Sequence, residues 1–122
     1  MRPLLHLTTA AEWLGAVDRG VYTAPSLAEN GFIHLSTVDQ VHLPANALFP
    51  GRRDIVLLWI DPDRLSAPLR WEPGQPTDPD GVLFPHLYGP IEVQAFMTVG
   101  PYLPGPDGVF GRPADAPGAG AP

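Results

Sequence analysis

The chain has 122 residues, a length for one domain around a single modest core, and 44% of them are apolar. Thirteen acids stand against seven arginines and no lysine, for a formal net charge of −6. That balance excludes lysine Schiff-base chemistry and argues against a basic nucleic-acid groove, and the absence of cysteine excludes disulfide staples, thiol nucleophiles and thiolate zinc sites.

Leu4-Leu5-His6-Leu7-Thr8 reads as a short, mostly buried strand. Thr9 followed by Glu12 is a capping box, predicting a helix from residue 10 to about residue 18 that buries Trp13, Leu14 and Val17 and stops at Gly20. A second capping box, Ser26 to Glu29, predicts a helix of one or two turns before Gly31. Residues 32–36 form a compact apolar strand interrupted by His34. A third capping box, Thr37 to Gln40, opens a helix that Pro44 bends or divides.

Ile55-Val56-Leu57-Leu58-Trp59-Ile60 is apolar at every position, which predicts a central strand covered on both faces. It is also the longest apolar run, far short of a membrane span. Leu69-Arg70-Trp71-Glu72 alternates apolar and charged residues, as an edge strand does. Residues 73–81 read as a loop, 82–84 as a brief strand, and 86–88 as a rigid turn held by Pro85, Gly89 and Pro90. Residues 93–99 make the final strand, with Ile91 and Glu92 in a turn before it. The fold class expected is α+β: a small mixed, mainly antiparallel sheet with two or three short helices. The domain boundaries expected are 1–104 for the domain and 105–122 for a Pro/Gly/Ala-rich tail, disordered at its end. No secretory leader is visible, so a cytoplasmic location is expected.

Four positions carry the chemical case. Strand alternation puts Phe32, His34 and Ser36 on one face and Ile33, Leu35 and Thr37 on the other. His34 and Ser36 together, at the mouth of a helix N-terminus, make a polar site for an anion or a ligand oxygen. His86 and Tyr88 offer a second ring pair, Tyr88 to stack on a flat ring or to donate its hydroxyl. The alternative for each His is a hydrogen-bonded core residue, and for Tyr88 a ring packed on the core. Glu72 and Glu92 read first as surface acids, with a general base or a ribose-binding carboxylate as the alternative. No phosphate loop, nucleophile elbow or metal motif appears, so no metal is assigned.

These segments, with Leu57-Leu58-Trp59-Ile60-Asp61 and Phe84-Pro85-His86-Leu87-Tyr88-Gly89, resemble the family catalogued as domain of unknown function 952 over most of the chain. That family is similar to a compact, distant form of the ADP-ribosyltransferase fold, whose members cleave NAD at the nicotinamide–ribose bond. The resemblance implies NAD as co-substrate, with His6, His34, Ser36 and Tyr88 contacting it and His34, Ser36 and His86 as catalytic candidates. It implies ADP-ribosyl transfer or NAD glycohydrolysis on a small-molecule ligand. Two other readings stand beside it: a non-catalytic module for a small or nucleotide-like ligand, and hydrolysis through Ser36 with a His base. No nucleic-acid or membrane partner is expected.

Overall fold

The computed structural model describes residues 2–18, 20–74 and 82–113. Its first strand, β1 (Leu4–Thr9), runs straight into α1 (Ala10–Ala16). The Thr9 hydroxyl accepts the Glu12 N–H at 3.1 Å, so the predicted cap is present. The Glu12 carboxylate does not return to Thr9; it accepts the Thr8 hydroxyl at 3.3 Å. With only two turns, α1 presents Trp13 and Ala16 to the core, and the chain then enters β2 (Val17–Asp18). The predicted burial of Leu14 and Val17 is therefore wrong: Leu14 is 82% exposed and Val17 is exposed too.

A hairpin that the sequence did not announce joins β2 to β3 (Val21–Tyr22). In α2 (Pro25–Asn30), Pro25 occupies the first helical turn and Ala24 the cap position, so Ser26 is not the cap. Proline's fixed φ starts the helix two residues earlier than the capping box suggests. Gly31 ends it at φ 87°, its N–H on the Leu27 carbonyl at 3.0 Å. The strand that follows is only β4 (Ile33–His34), extended by a bridge between Ser36 and Leu5.

The third capping box is half formed, the Gln40 side chain accepting the Thr37 N–H at 3.1 Å. It closes a turn, and α3 (His42–Leu48) begins after it. Pro44 falls in the first turn of α3, where an N–H has no partner within the helix, so it neither bends nor divides it.

Strand β5 (Ile55–Ile60) is central, with antiparallel β1 on one side and antiparallel β9 (Phe96–Pro101) on the other. Its alternate residues divide between two apolar clusters. Leu58 and Ile60 join Tyr22, Ile33, Leu35 and Leu87; Ile55, Leu57 and Trp59 join Leu5, Val41, Tyr102 and Phe110. Both faces are covered, as the unbroken apolar run predicts.

Strand β6 (Leu69–Pro73) is the expected edge, and β7 (Leu83–Leu87) lies between it and β4. Here the structure departs from the predicted turn at 86–88, because Pro85 and His86 lie within a strand. Pro85 is tolerated because its carbonyl still accepts the Leu35 N–H at 2.9 Å, while its missing N–H faces the short β4. The turn comes later, at Tyr88-Gly89-Pro90. Ile91–Glu92 form β8, paired with β3, and a 3-10 turn over Val93–Ala95 separates it from β9, where one strand over 93–99 was expected.

The α+β class, the antiparallel pairing and three short helices agree with the sequence. The single mixed sheet does not: the strands form three three-stranded sheets, and every described ladder is antiparallel. Parallel neighbours need crossovers of a dozen residues or more, and helices of six or seven residues lead instead into short antiparallel pairs. Folded structure also passes the boundary at 104. Phe110 is 1% exposed, and Asn46 holds both its N–H and its carbonyl, at 2.8 and 2.9 Å. Most of the predicted loop at 73–81 and the end of the predicted tail lie outside the described residues. No helix among the described residues is long and apolar enough to cross a membrane.

Candidate functional site

The site grows from the register of β4, β7 and β6. His34 pairs with His86, and His86 pairs with Arg70, so these three side chains stand on one face of the sheet. Two residues to one side of this row come Phe32 and Tyr88, just outside β4 and β7, and two residues to the other side comes Glu72, opposite Phe84 in the register. The opposite face carries Ile33, Leu35 and Leu87 into the core. Alternation thus sorts one sheet into an apolar side and a side of rings and charges.

Phe32 lies stacked on His86, with centroids 4.1 Å apart and planes 14° from parallel. The His34 ring meets His86 edge-on at 5.1 Å and Phe32 at 4.9 Å. Tyr88 closes the group at 5.3 Å from Phe32, and the Arg70 guanidinium sits 5.1 Å from the Tyr88 ring centre. Glu72 joins the rings: its Oε1 accepts the Tyr88 hydroxyl at 2.5 Å and the His86 Nδ1–H at 3.0 Å.

Two donors on one carboxylate oxygen favour the charged form. The Tyr88 hydroxyl first, then His86, holds the Glu72 carboxyl below the usual carboxylate range, and the same bond raises Tyr88. Burial first, and then the neighbouring His86, lowers the His34 pKa. His86 is 2% exposed, yet its Nε2 has no partner among the described residues.

His6 is placed differently from these rings. It is buried, with Nδ1 2.7 Å from the His34 carbonyl and Nε2 2.9 Å from the Tyr22 hydroxyl. A carbonyl only accepts, so Nδ1 carries the proton and Nε2 accepts the Tyr22 O–H. Burial pushes the His6 pKa down to about 4, keeping the ring neutral, and the same effect pushes Tyr22 up to about 12. His6 therefore reaches the site through the backbone of His34.

Ser36 is buried and locked by paired backbone hydrogen bonds with Leu5, both at 2.8 Å. The helix N-terminus predicted beside it is not there, because α3 starts only at His42 and Gln40 takes the Thr37 N–H. Glu92 is engaged elsewhere, holding the Ser66 N–H at 3.0 Å and the Ser66 hydroxyl.

The structure therefore brings together His34, His86 and Tyr88, with His6 behind the strand and Ser36 beyond its end. Sequence reading missed Arg70 and the stacked role of Phe32, and it ranked Glu72 as a surface acid. The alternation in β6 was the available signal, but only the pairing of β6 with β7 shows that Arg70 and Glu72 face the histidines. A separate groove of about 330 Å³ opens on the opposite side of this sheet, beside Leu69 and Trp71. Its walls include none of the six site residues. No group of three His, Asp or Glu among the described residues is arranged to hold a metal ion.

A family model described as a protein of unknown function, DUF952, matches residues 7–99. The crystal structure of protein CC0527 from Caulobacter crescentus is similar, with 32% identity and a TM-score of 0.72, covering 89% of this chain and 93% of that one. A solution NMR structure of the same protein is similar at 31% identity and a TM-score of 0.72, covering 89% and 91%. No curated protein matches the sequence.

Proposed function

Since the chain belongs to the DUF952 family of proteins of unknown function, we propose that it binds NAD on the face of Phe32, His34, Arg70, Glu72, His86 and Tyr88 and uses it as an ADP-ribosyl donor. The observation that carries this reading is a charged carboxylate set among aromatic rings on an otherwise structural sheet. Breaking the nicotinamide–ribose bond leaves a cationic ribosyl centre, and nicotinamide in NAD is itself a cationic ring. Ring faces and a nearby carboxylate both favour such cations over water. Arg70 supplies the positive charge that a diphosphate requires. His34 and Tyr88 contact the donor directly, and His6 supports His34 from behind. Ser36, two residues past His34 and buried beyond the end of β4, is the remaining candidate for a donor contact.

Titrating NAD into the ¹⁵N-labelled protein tests this. Saturable shifts at Phe32, His34 and Tyr88, with release of nicotinamide on chromatography, are the expected result. The absence of any shift with NAD, ADP-ribose or nicotinamide sinks the reading. One observation favours the non-catalytic alternative: Glu72 is already tied to Tyr88 and His86, as in a rigid binding platform. Saturable binding without nicotinamide release, unchanged in Glu72→Ala, would select it.

A further inference from the structure

One buried polar atom on the proposed site is unexplained by the fold. His86 is almost fully buried under Phe32, its Nδ1 is taken by Glu72, and its Nε2 has no described partner. An unpaired nitrogen in such a place is costly unless something else bonds to it.

We infer that His86 is the proton acceptor for a hydroxyl-bearing ADP-ribosyl acceptor, with Glu72 as its positioning residue and Phe32 as the cover that must move off it. The inference rests on the NAD reading for its donor and on local geometry for everything else.

The tautomer follows from the partners. A charged carboxylate only accepts, so the Nδ1 facing Glu72 carries the hydrogen and the lone pair of the neutral ring lies on Nε2. The second donor on Oε1, the Tyr88 hydroxyl, keeps that carboxylate charged and fixed. When the acceptor oxygen bonds to the ribose C1′, its proton passes to Nε2. The C1′–N bond breaks with its electron pair going to nicotinamide, which leaves neutral. The imidazolium so formed faces the Glu72 carboxylate, which compensates its charge.

Phe32 is placed to act as the cover. It is half-buried and parallel to the imidazole, and it follows Gly31, whose left-handed φ of 87° sets the bend between α2 and β4. Rotation of this one side chain uncovers His86 without disturbing the ladder of β4 and β7.

Two measurements on the full chain test this without NAD. Long-range ¹H–¹⁵N spectra, read on the neutral ring, should show His86 as the Nδ1–H tautomer alone, and Glu72→Ala should shift it toward Nε2–H. A wild-type His86 carrying its proton on Nε2 overturns the inference. Diethyl pyrocarbonate modification, read for each histidine by mass spectrometry, should find His34 reactive and His86 protected. Phe32→Ala should then raise the His86 rate at least about ten-fold with His34 unchanged, and Phe32→Leu should raise it less. If His86 is equally protected in both folded variants, Phe32 is not the cover. Failure of NAD to bind removes the donor but moves neither readout, whereas a wrong tautomer with NAD binding intact removes this inference alone.

Discussion

The two ring nitrogens of His6 meet a carbonyl and a hydroxyl, and that arrangement fixes how stability responds to acid. An unfolded histidine takes its proton near pH 6.5, whereas burial holds the folded ring's pKa at about 4. Between these values the unfolded chain binds a proton that the native chain does not. Stability is therefore full above the unfolded pKa and falls with pH down to the folded one, by up to about 3 kcal/mol from this residue. The lowered pKa of His34 acts in the same direction. Urea midpoints should drop between pH 7.5 and 4.5, and His6→Gln should flatten that slope. An unchanged slope in the variant would assign the acid sensitivity to other groups. Glu72, held below its usual range, contributes stability that is lost only as pH falls further through its folded pKa. In physical terms His6 was legible as a buried polar residue of β1, but its partners come from β3 and β4, which no local pattern names.

At the scale of elements, caps and turns carry much of the local specification. Replacing Thr9 by Ala removes the hydroxyl that accepts the Glu12 N–H, and should cost about 1 kcal/mol in a urea titration. The turn after β7 depends on a close approach: a Cβ at Gly89 would lie 2.6 Å from the Ala67 Cβ. Gly89→Ala should destabilise by about 1–3 kcal/mol and displace Tyr88, seen as loss of its NMR coupling to the Glu72 environment. Adding Ala67→Gly should restore both, and failure of that rescue would place the cost in the backbone of the turn instead. The sequence showed β1, β5, β6 and the short helices because each has its own periodicity or cap. It concealed β2, β3 and β8, two-residue strands with too few positions to show alternation, and it made a turn of His86 because Pro85 reads as a strand breaker.

Across the whole molecule, β5 is the wall between two apolar clusters, and the C-terminal segment completes one of them. Tyr102 and Phe110 pack with ring centres 4.8 Å apart, and Asn46 clamps the Phe110 backbone. Truncation after residue 104, or Phe110→Ala, should cost about 3–5 kcal/mol, read as a fall in the urea midpoint. A midpoint unchanged by truncation would show that the boundary predicted at 104 is the energetic one.

Composition alone determined the absence of thiol and lysine chemistry, and apolar patterning determined the α+β class with β5 as a central strand covered on both faces. These properties follow from residue type and spacing, which survive without a partner strand. The face of Phe32, His34, Arg70, Glu72, His86 and Tyr88 was decided only by tertiary structure. Register between distant strands chooses which alternate residues stand side by side, and a shift of one residue would send Arg70 and Glu72 to the other face.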